Sequence, residues 1–306
     1  MSVVHLLIDG GHLIRRIAHT DQALVLTSNG HPSGLVHGFL NTLIYLSRQY
    51  AGNAKVYIAF DSGKSQYRTS IYPDYKHTRI DMSLKEYVGP DINLAKDFLL
   101  SIFKIVGIPC FMVSGIEADD FIATLSYLFP NNSVIISGDR DFFQLVTDGV
   151  VLYDPIKKFT FGVDEIVSDT YDKDNWKDQY IFHKCIIGDK DEVPQILKGL
   201  GFNKALPFAK LLSYGCALPD DKYGLIIKDN LGIIDRNIQL FDLQVAYEVL
   251  KDQILSEIDK FEPSPIRGIE LQQSLLVSLS KWSLDVVSQN VSHLISLKST
   301  VPIRTK

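Results

Sequence analysis

The stretch from Glu117 to Asp141 restricts the fold more than any other part of the chain. It reads Glu117-Ala118-Asp119-Asp120, then an apolar run, then Ser137-Gly138-Asp139-Arg140-Asp141. Phe121–Pro130 has helical spacing, and Ser133-Val134-Ile135-Ile136 suits a short buried strand. Two groups of acids thus bracket a helix and a strand that both need a core. Solvation explains this poorly, because like charges at close range repel and burial raises a carboxyl pKa. A positive charge has to offset them, and Mg²⁺ or Mn²⁺ suits hard oxygen ligands.

The pattern of an apolar run ending in an acid recurs. Val3–Ile8 leads to Asp9-Gly10-Gly11, and Lys55–Phe60 leads to Asp61. Asp9 alone reads equally well as a cap for a helix starting near His12 or as a site residue at a strand's C-terminal edge. The repeat at Asp61 favours the site. Gly10-Gly11 is not GxGxxG, so a dinucleotide turn is not expected. Gly34–Tyr50 reads as a helix with Leu35, Phe39, Leu43 and Leu46 on one face. Asp91–Gly107 reads as another, with Leu94, Phe98, Ile102 and Ile105. Ile108–Val113 and Val150–Tyr153 read as strands, and Phe159-Thr160-Phe161 as the close of a small hairpin. This alternation predicts an α/β fold around a doubly wound, mostly parallel sheet. Asp169–Asp178 reads as a loop and Tyr180–Gly188 as a helix. Beyond Leu206 the chain reads as helical, with Gln239–Ile258 and Glu270–Leu297 periodic but without chemical motifs.

A net charge of −5 over 306 residues argues against a general polyanion binder, though a local basic face is compatible with it. Lys64–Lys85 is such a segment. Lys64, Arg68, Lys76, Arg79 and Lys85 alternate with Tyr67, Tyr72, Tyr75 and His77, against only Asp74 and Asp81. Cations mixed with aromatics suit a single-stranded nucleic acid path; a solvated surface loop is the plainer alternative. Cys110, Cys185 and Cys216 form no CxxC pair, so neither a disulfide framework nor a thiolate zinc site is expected, which fits a reducing compartment. The Val3–Ile8 run is too short for a signal peptide.

Asp9, Asp61, Glu117, Asp119, Asp120, Asp139 and Asp141 fall at strand ends or helix starts of one predicted sheet, and are expected to converge on one edge. That many acids exceeds one ion's needs. Two ions about 4 Å apart can activate water and stabilise the leaving oxygen in phosphoryl transfer. The residues therefore point to metal-dependent phosphodiester hydrolysis beside a basic channel. A haloacid-dehalogenase-type phosphatase would want a second Asp two residues after the first, where Gly11 stands. A structure-specific DNA-binding protein without catalysis would not need so many buried acids.

Taken in order, certain motifs resemble the 5′-nuclease or flap-endonuclease superfamily, with its PIN-like core. They are Ile8-Asp9-Gly10, Phe60-Asp61-Ser62-Gly63-Lys64-Ser65, Arg68, Pro73–Arg79, Glu117–Asp120, Gly138-Asp139-Arg140-Asp141-Phe142 and Gly188-Asp189. The nearest likeness is to phage ribonuclease H-type 5′→3′ exonucleases. The likeness covers about residues 1–210. It implies a catalytic domain over 1–180 with a helical arch near 64–90, and a helical C-terminal domain over 181–306 with a helix-hairpin-helix-like element. It also implies a monomeric, phage-encoded enzyme acting in the host cytoplasm. Such an enzyme cleaves DNA flaps and RNA–DNA hybrids during primer removal.

The resemblance assigns Asp9, Asp61, Glu117, Asp119 and Asp139 to a first Mg²⁺ site, with Asp120 sharing or supporting it and Mn²⁺ able to substitute. Asp141 and Asp189 belong to a second site completed by Asp191 or Glu192. The family's last acidic motif, Gly-Asp-x-x-Asp-Asn, is altered here to Gly188-Asp189-Lys190-Asp191-Glu192-Val193. Lys76 and Arg79 would steer a 5′ flap and meet the scissile phosphate, while Tyr75 would stack on a base. Lys64, Arg68 and Lys85 lie along the same path. Lys198, Gly199 and Gly201, with Lys204 nearby, would grip duplex phosphates, with a K⁺ ion at the turn. A single-stranded-DNA-binding protein or a sliding clamp would dock on the C-terminal helices.

Overall fold

The computed structural model describes residues 3–20, 33–49, 53–76, 89–168, 170–189, 193–196, 200–282 and 284–297. Strand β1 (Val4–Asp9) leads directly into α1 (Gly10–Ala18) and is followed by α2 (Ser33–Gln49). After β2 (Ala54–Ala59) come the short α3 (Gln66–Ile71) and the long α4 (Gly89–Val106). Then follow β3 (Cys110–Phe111), α5 (Ala118–Leu128) and β4 (Ser133–Ile136). A 3-10 segment, Arg140–Leu145, precedes β5 (Val150–Asp154) and β6 (Phe159–Phe161).

The strand order is β3-β2-β1-β4-β5-β6. The first five strands are parallel, and β6 closes the edge as an antiparallel hairpin with β5. Strand β1 is central, with Ile8 opposite both Ile58 and Ile136, so its side chains are buried on both faces. The chain winds one way from β1 to β2 and β3, then crosses to β4. The C-terminal ends of β1 and β4 therefore flank the switch point where α/β sheets hold their ligands.

Strand β3 is shorter than the predicted Ile108–Val113. Only Cys110 and Phe111 pair with β2, and Pro109, within the predicted run, has no N–H to give the ladder. Helix α2 buries Leu35, Phe39, Leu43 and Leu46 as expected. On α4 the buried face is instead Ala95, Leu99, Ile102, Phe103 and Val106, and Leu94 is exposed. That helix is apolar around much of its circumference, so spacing alone left its phase ambiguous.

The C-terminal half contains α6 (Val163–Val167), α7 (Trp176–Ile187), α8 (Phe202–Ser213), α9 (Lys222–Asp229) and α10 (Leu231–Phe241). It continues with α11 (Leu243–Asp259), α12 (Gly268–Ser280), α13 (Asp285–Ser288) and α14 (Val291–Ser296). Helix α7 starts inside the predicted loop. The predicted helix Gln239–Ile258 is two helices, because Asp242 accepts from the Gln244 and Val245 N–H groups and caps a new one. Glu270–Leu297 is likewise three helices. Helices α7 to α10 surround a cluster containing Ile186, Leu200, Phe208, Ile227, Ile234 and Leu240. Helix α11 packs on α5, and α12 to α14 return to cover the α2–α4 side of the sheet. Among the described residues no helix is long and apolar enough to cross a membrane.

Candidate active site

A small cavity of about 70 Å³ opens at the C-terminal edge of the sheet, lined by Asp9, His12, Arg15, Asp61, Lys76, Asp119, Asp139, Asp141 and Asp189. Its volume suits a few waters or partly hydrated ions. Five of its six acids follow parallel strands, which all end on this side, and Asp189 follows α7.

Asp9 caps α1 and also lines the cavity. Its Oδ1 accepts the His12 N–H at 2.8 Å, capping α1, and its Oδ2 accepts from the Ser137 hydroxyl at 2.9 Å. The next residue must be small, since a Cβ on Gly10 would lie 2.6 Å from the Phe60 ring. Burial pushes the Asp9 carboxyl up to about 7, with Asp61 and Asp139 adding repulsion against two hydrogen bonds that favour the anion. Asp119 is raised well above the usual carboxylate range by burial and by Asp139, Asp9 and Asp61. Asp61 is the exception. Burial works to raise it, but the Ala118 N–H and the cations Arg15, Lys76 and Lys96 outweigh that and hold it low. Its Oδ1 accepts from Ala118 at 3.0 Å and its Oδ2 from Arg15 at 2.9 Å.

Asp139 caps the 3-10 segment by accepting the Asp141 N–H at 2.9 Å. Asp141 is paired with Lys184 of α7, whose ammonium also lies 4.6 Å from the Phe241 ring. Asp189 is set by a backbone bridge to Val193. This needs Gly188, whose φ is 68° and whose missing Cβ would fall 2.6 Å from the Val193 carbonyl.

Several expected residues stand elsewhere. Asp120 does not line the cavity. It is fully buried and takes a bidentate pair from Arg68, at 2.8 and 2.9 Å. Arg68 is therefore no DNA contact: its side chain is 3% exposed, and it also bonds Glu117 and the Leu240 carbonyl. Glu117 turns the same way, accepting from Arg68 and from Lys76 at 2.7 Å. Tyr75 is buried with its hydroxyl 3.4 Å from Glu117, so it offers no stacking face. Helix phase separates Asp120 from Asp119, since consecutive residues on α5 point about 100° apart.

Lys64 and Lys204 are exposed, Lys204 lying 5.8 Å from the Tyr223 ring. Gly201 precedes α8 as its N-cap. Lys76 adopts a left-handed φ of 53°, an arrangement costly for a side-chain-bearing residue and common where function fixes the backbone. Arg79, Lys85, Asp191, Glu192, Lys198 and Gly199 lie outside the described residues, as does the arch beyond residue 76.

Sequence reasoning missed His12, Arg15, Ser137 and Lys184. His12 and Arg15 had a signal: they are three apart on a helix capped by Asp9, so they share a face. The His12 Nε2 is buried without a hydrogen-bond partner among the described residues.

The donor set fits hard divalent cations. It is all carboxylate apart from one imidazole, and two of its acids are strained toward neutrality for want of positive charge. Among the described residues no group of three or more such side chains is placed to hold an ion directly. Ions here would keep part of their water, as Mg²⁺ commonly does.

Residues 4–180 match the family described as "5'-3' exonuclease, N-terminal resolvase-like domain". A 5'-3' exonuclease of Buchnera aphidicola subsp. Schizaphis graminum is 29% identical over 212 residues, covering 68% of this chain and 70% of that protein. The Aquifex aeolicus 5'-3' exonuclease is 30% identical over 235 residues, covering 74% and 73%. DNA polymerase I of Mycobacterium tuberculosis (strain ATCC 25618 / H37Rv) is 31% identical over 254 residues, 78% of this chain but only 27% of the polymerase. Two solved structures share the fold. The flap endonuclease of bacteriophage T5 in complex with DNA and metal ions has a TM-score of 0.64 at 18% identity, covering 95% of this chain and 98% of that one. The catalytic core of Rad2 with a DNA substrate has a TM-score of 0.58 at 16%, covering 97% and 93%. The matched domain takes in every cleft acid from Asp9 to Asp141, and the chain belongs to the 5′-3′ exonuclease family of nucleases.

Proposed function

We propose that the protein is a metal-dependent 5′→3′ exonuclease and flap endonuclease that hydrolyses DNA flaps and the RNA strand of RNA–DNA hybrids, as primer removal requires. The observation that carries this reading is the cleft itself, six carboxylates at the sheet's switch point with Lys76 at their side. The bacteriophage T5 relative, solved with DNA and metal ions, supports it.

Asp9, Asp61, Asp119 and Asp139 would hold one cation, and Asp141 and Asp189 a second. Mg²⁺ is the natural ion for such ligands, and Mn²⁺ would substitute. Bound there, the cations supply Lewis-acid charge to phosphate oxygens and lower the pKa of water. The chain's own groups do the rest. Ser137 and the His12 N–H fix the Asp9 carboxylate, and the Ala118 N–H fixes Asp61. Lys76, held by Glu117 beside the cleft, is suited to meet charge on the scissile phosphate. Lys204 and the α8 N-terminus at Gly201 suit the duplex backbone.

The test is a 5′-labelled flap duplex, in all-DNA and RNA-primer forms, incubated with Mg²⁺, Mn²⁺ or EDTA. Release of short 5′ products with either metal and none with EDTA is expected. Product lengths separate flap cutting from exonuclease action. Tight binding without cleavage in any metal would overturn the catalytic reading.

A further inference from the structure

We propose that Arg15 is a substrate-phosphate contact that Asp61 keeps in the cleft as an internal counter-charge, and that a divalent cation releases. The inference rests on the nuclease reading above.

Arg15 and Lys76 are the basic side chains lining the cavity. The Arg15 pair with Asp61, 2.9 Å long, is made through Nη2, and the two side chains are 40% and 31% exposed. Arg68 offers the contrast. It is 3% exposed and bonded by Nε, Nη1 and Nη2, so it is locked in place. Among the described residues Arg15 makes one side-chain bond, through Nη2, and keeps donors for a second anion. An ion pair this exposed is weak, so a competitor breaks it easily.

Asp61 does not need Arg15 to hold its position. Its other oxygen is fixed by the Ala118 N–H. A divalent ion beside Asp61 would satisfy the carboxylate and repel the guanidinium together. The freed group is planar and bidentate, the geometry that matches a phosphate. Cation loading and backbone capture are thereby coupled. Without metal, Arg15 lowers the cleft's negative charge; with metal, it becomes available to the strand.

Wild-type protein, Arg15→Gln and Arg15→Lys are compared in two binding measurements that do not require turnover. In the first, Mn²⁺ is titrated calorimetrically without DNA. Arg15→Gln is expected to bind Mn²⁺ roughly two- to fivefold tighter, the exchange of a lost ion pair for the metal. In the second, flap DNA binding is followed by anisotropy over a salt series, in Ca²⁺ and in EDTA. In Ca²⁺, Arg15→Gln is expected to bind about tenfold more weakly, with a salt slope smaller by about 0.9. In EDTA it is expected to match wild type. Arg15→Lys is expected to recover the slope and part of the affinity.

Unchanged Mn²⁺ affinity in Arg15→Gln, or equal loss of DNA affinity in Ca²⁺ and EDTA, would overturn the proposal. Failure of the wild type to bind flap DNA in Ca²⁺ would instead overturn the nuclease reading. Urea midpoints confirm that the variants are folded; if Arg15→Gln is not, the same comparison with Arg15→Lys decides.

Discussion

Two acid clusters lie back to back across the first turn of α5. On one side Asp120 and Glu117 meet Arg68, with bonds of 2.8 to 2.9 Å and almost no exposure. On the other side Asp119 joins Asp9, Asp61 and Asp139 around a polar cavity, and burial with mutual repulsion drives Asp9 and Asp119 toward the neutral form. The chain gives the first cluster a guanidinium bonded through all three of its nitrogens and leaves the second under-neutralised. A carboxylate closed off by arginine serves the fold, whereas one left under-neutralised is prepared for an external charge. Adjacent positions in one acidic motif thus carry opposite duties.

The sharpest way to break this contrast is Asp139→Asn. The amide oxygen can still accept the Asp141 N–H, so the fold should be retained with an unchanged urea midpoint. Cleavage should fall by several kcal/mol of barrier, on the order of 10³-fold or more, in a flap assay with Mg²⁺. Retained activity would remove Asp139 from the metal site.

Arg68→Met should do the reverse. Leaving Asp120 buried without its partner is expected to cost about 3–5 kcal/mol in urea unfolding. Whatever folded protein remains at low temperature should still bind Mn²⁺, and loss of that binding alone would show that the two clusters are not separate.

The smallest effect concerns His5, at the far end of β1 from Asp9. It stacks on Phe129 at 3.9 Å, its Nδ1 has no hydrogen-bond partner among the described residues, and burial, with Lys55 nearby, lowers its pKa to about 4. The unfolded chain therefore takes up this proton first as pH falls. Its contribution to stability is complete above about pH 6.5 and declines toward pH 4. His5→Phe should flatten that part of the stability profile and leave pH 7 stability little changed. A profile that keeps its slope would assign it to other groups.

The sheet was legible in the sequence because β1, β2 and β4 are apolar runs ending in or soon followed by an acid, and so was the edge where those acids meet. Which face each side chain takes was harder to read. Asp119 and Asp120 look identical in the chain, and only the packing of α3 against α10 puts Arg68 behind one of them. Arg68 and Tyr75 sit in a segment rich in charge and aromatics, which reads as solvated until Leu240 and Glu117 close over it. Arg15 and Lys184 were hidden for a different reason. Each is a cation on a helix whose partner acid lies 46 or 43 residues away.

The interruption at Asp242 brings these parts together. Arg68 bonds the Leu240 carbonyl, Gln144 bridges the Phe241 carbonyl and the Leu243 N–H, and Lys184 rests over the Phe241 ring. One kink between α10 and α11 is thereby fastened to the segments that carry Glu117, Asp141 and the start of α3. The sheet and the helices that follow it are joined at this kink. Heating should release them in a single calorimetric transition, and a proteolytic cut near 242 should loosen the acids as surely as a cut beside them.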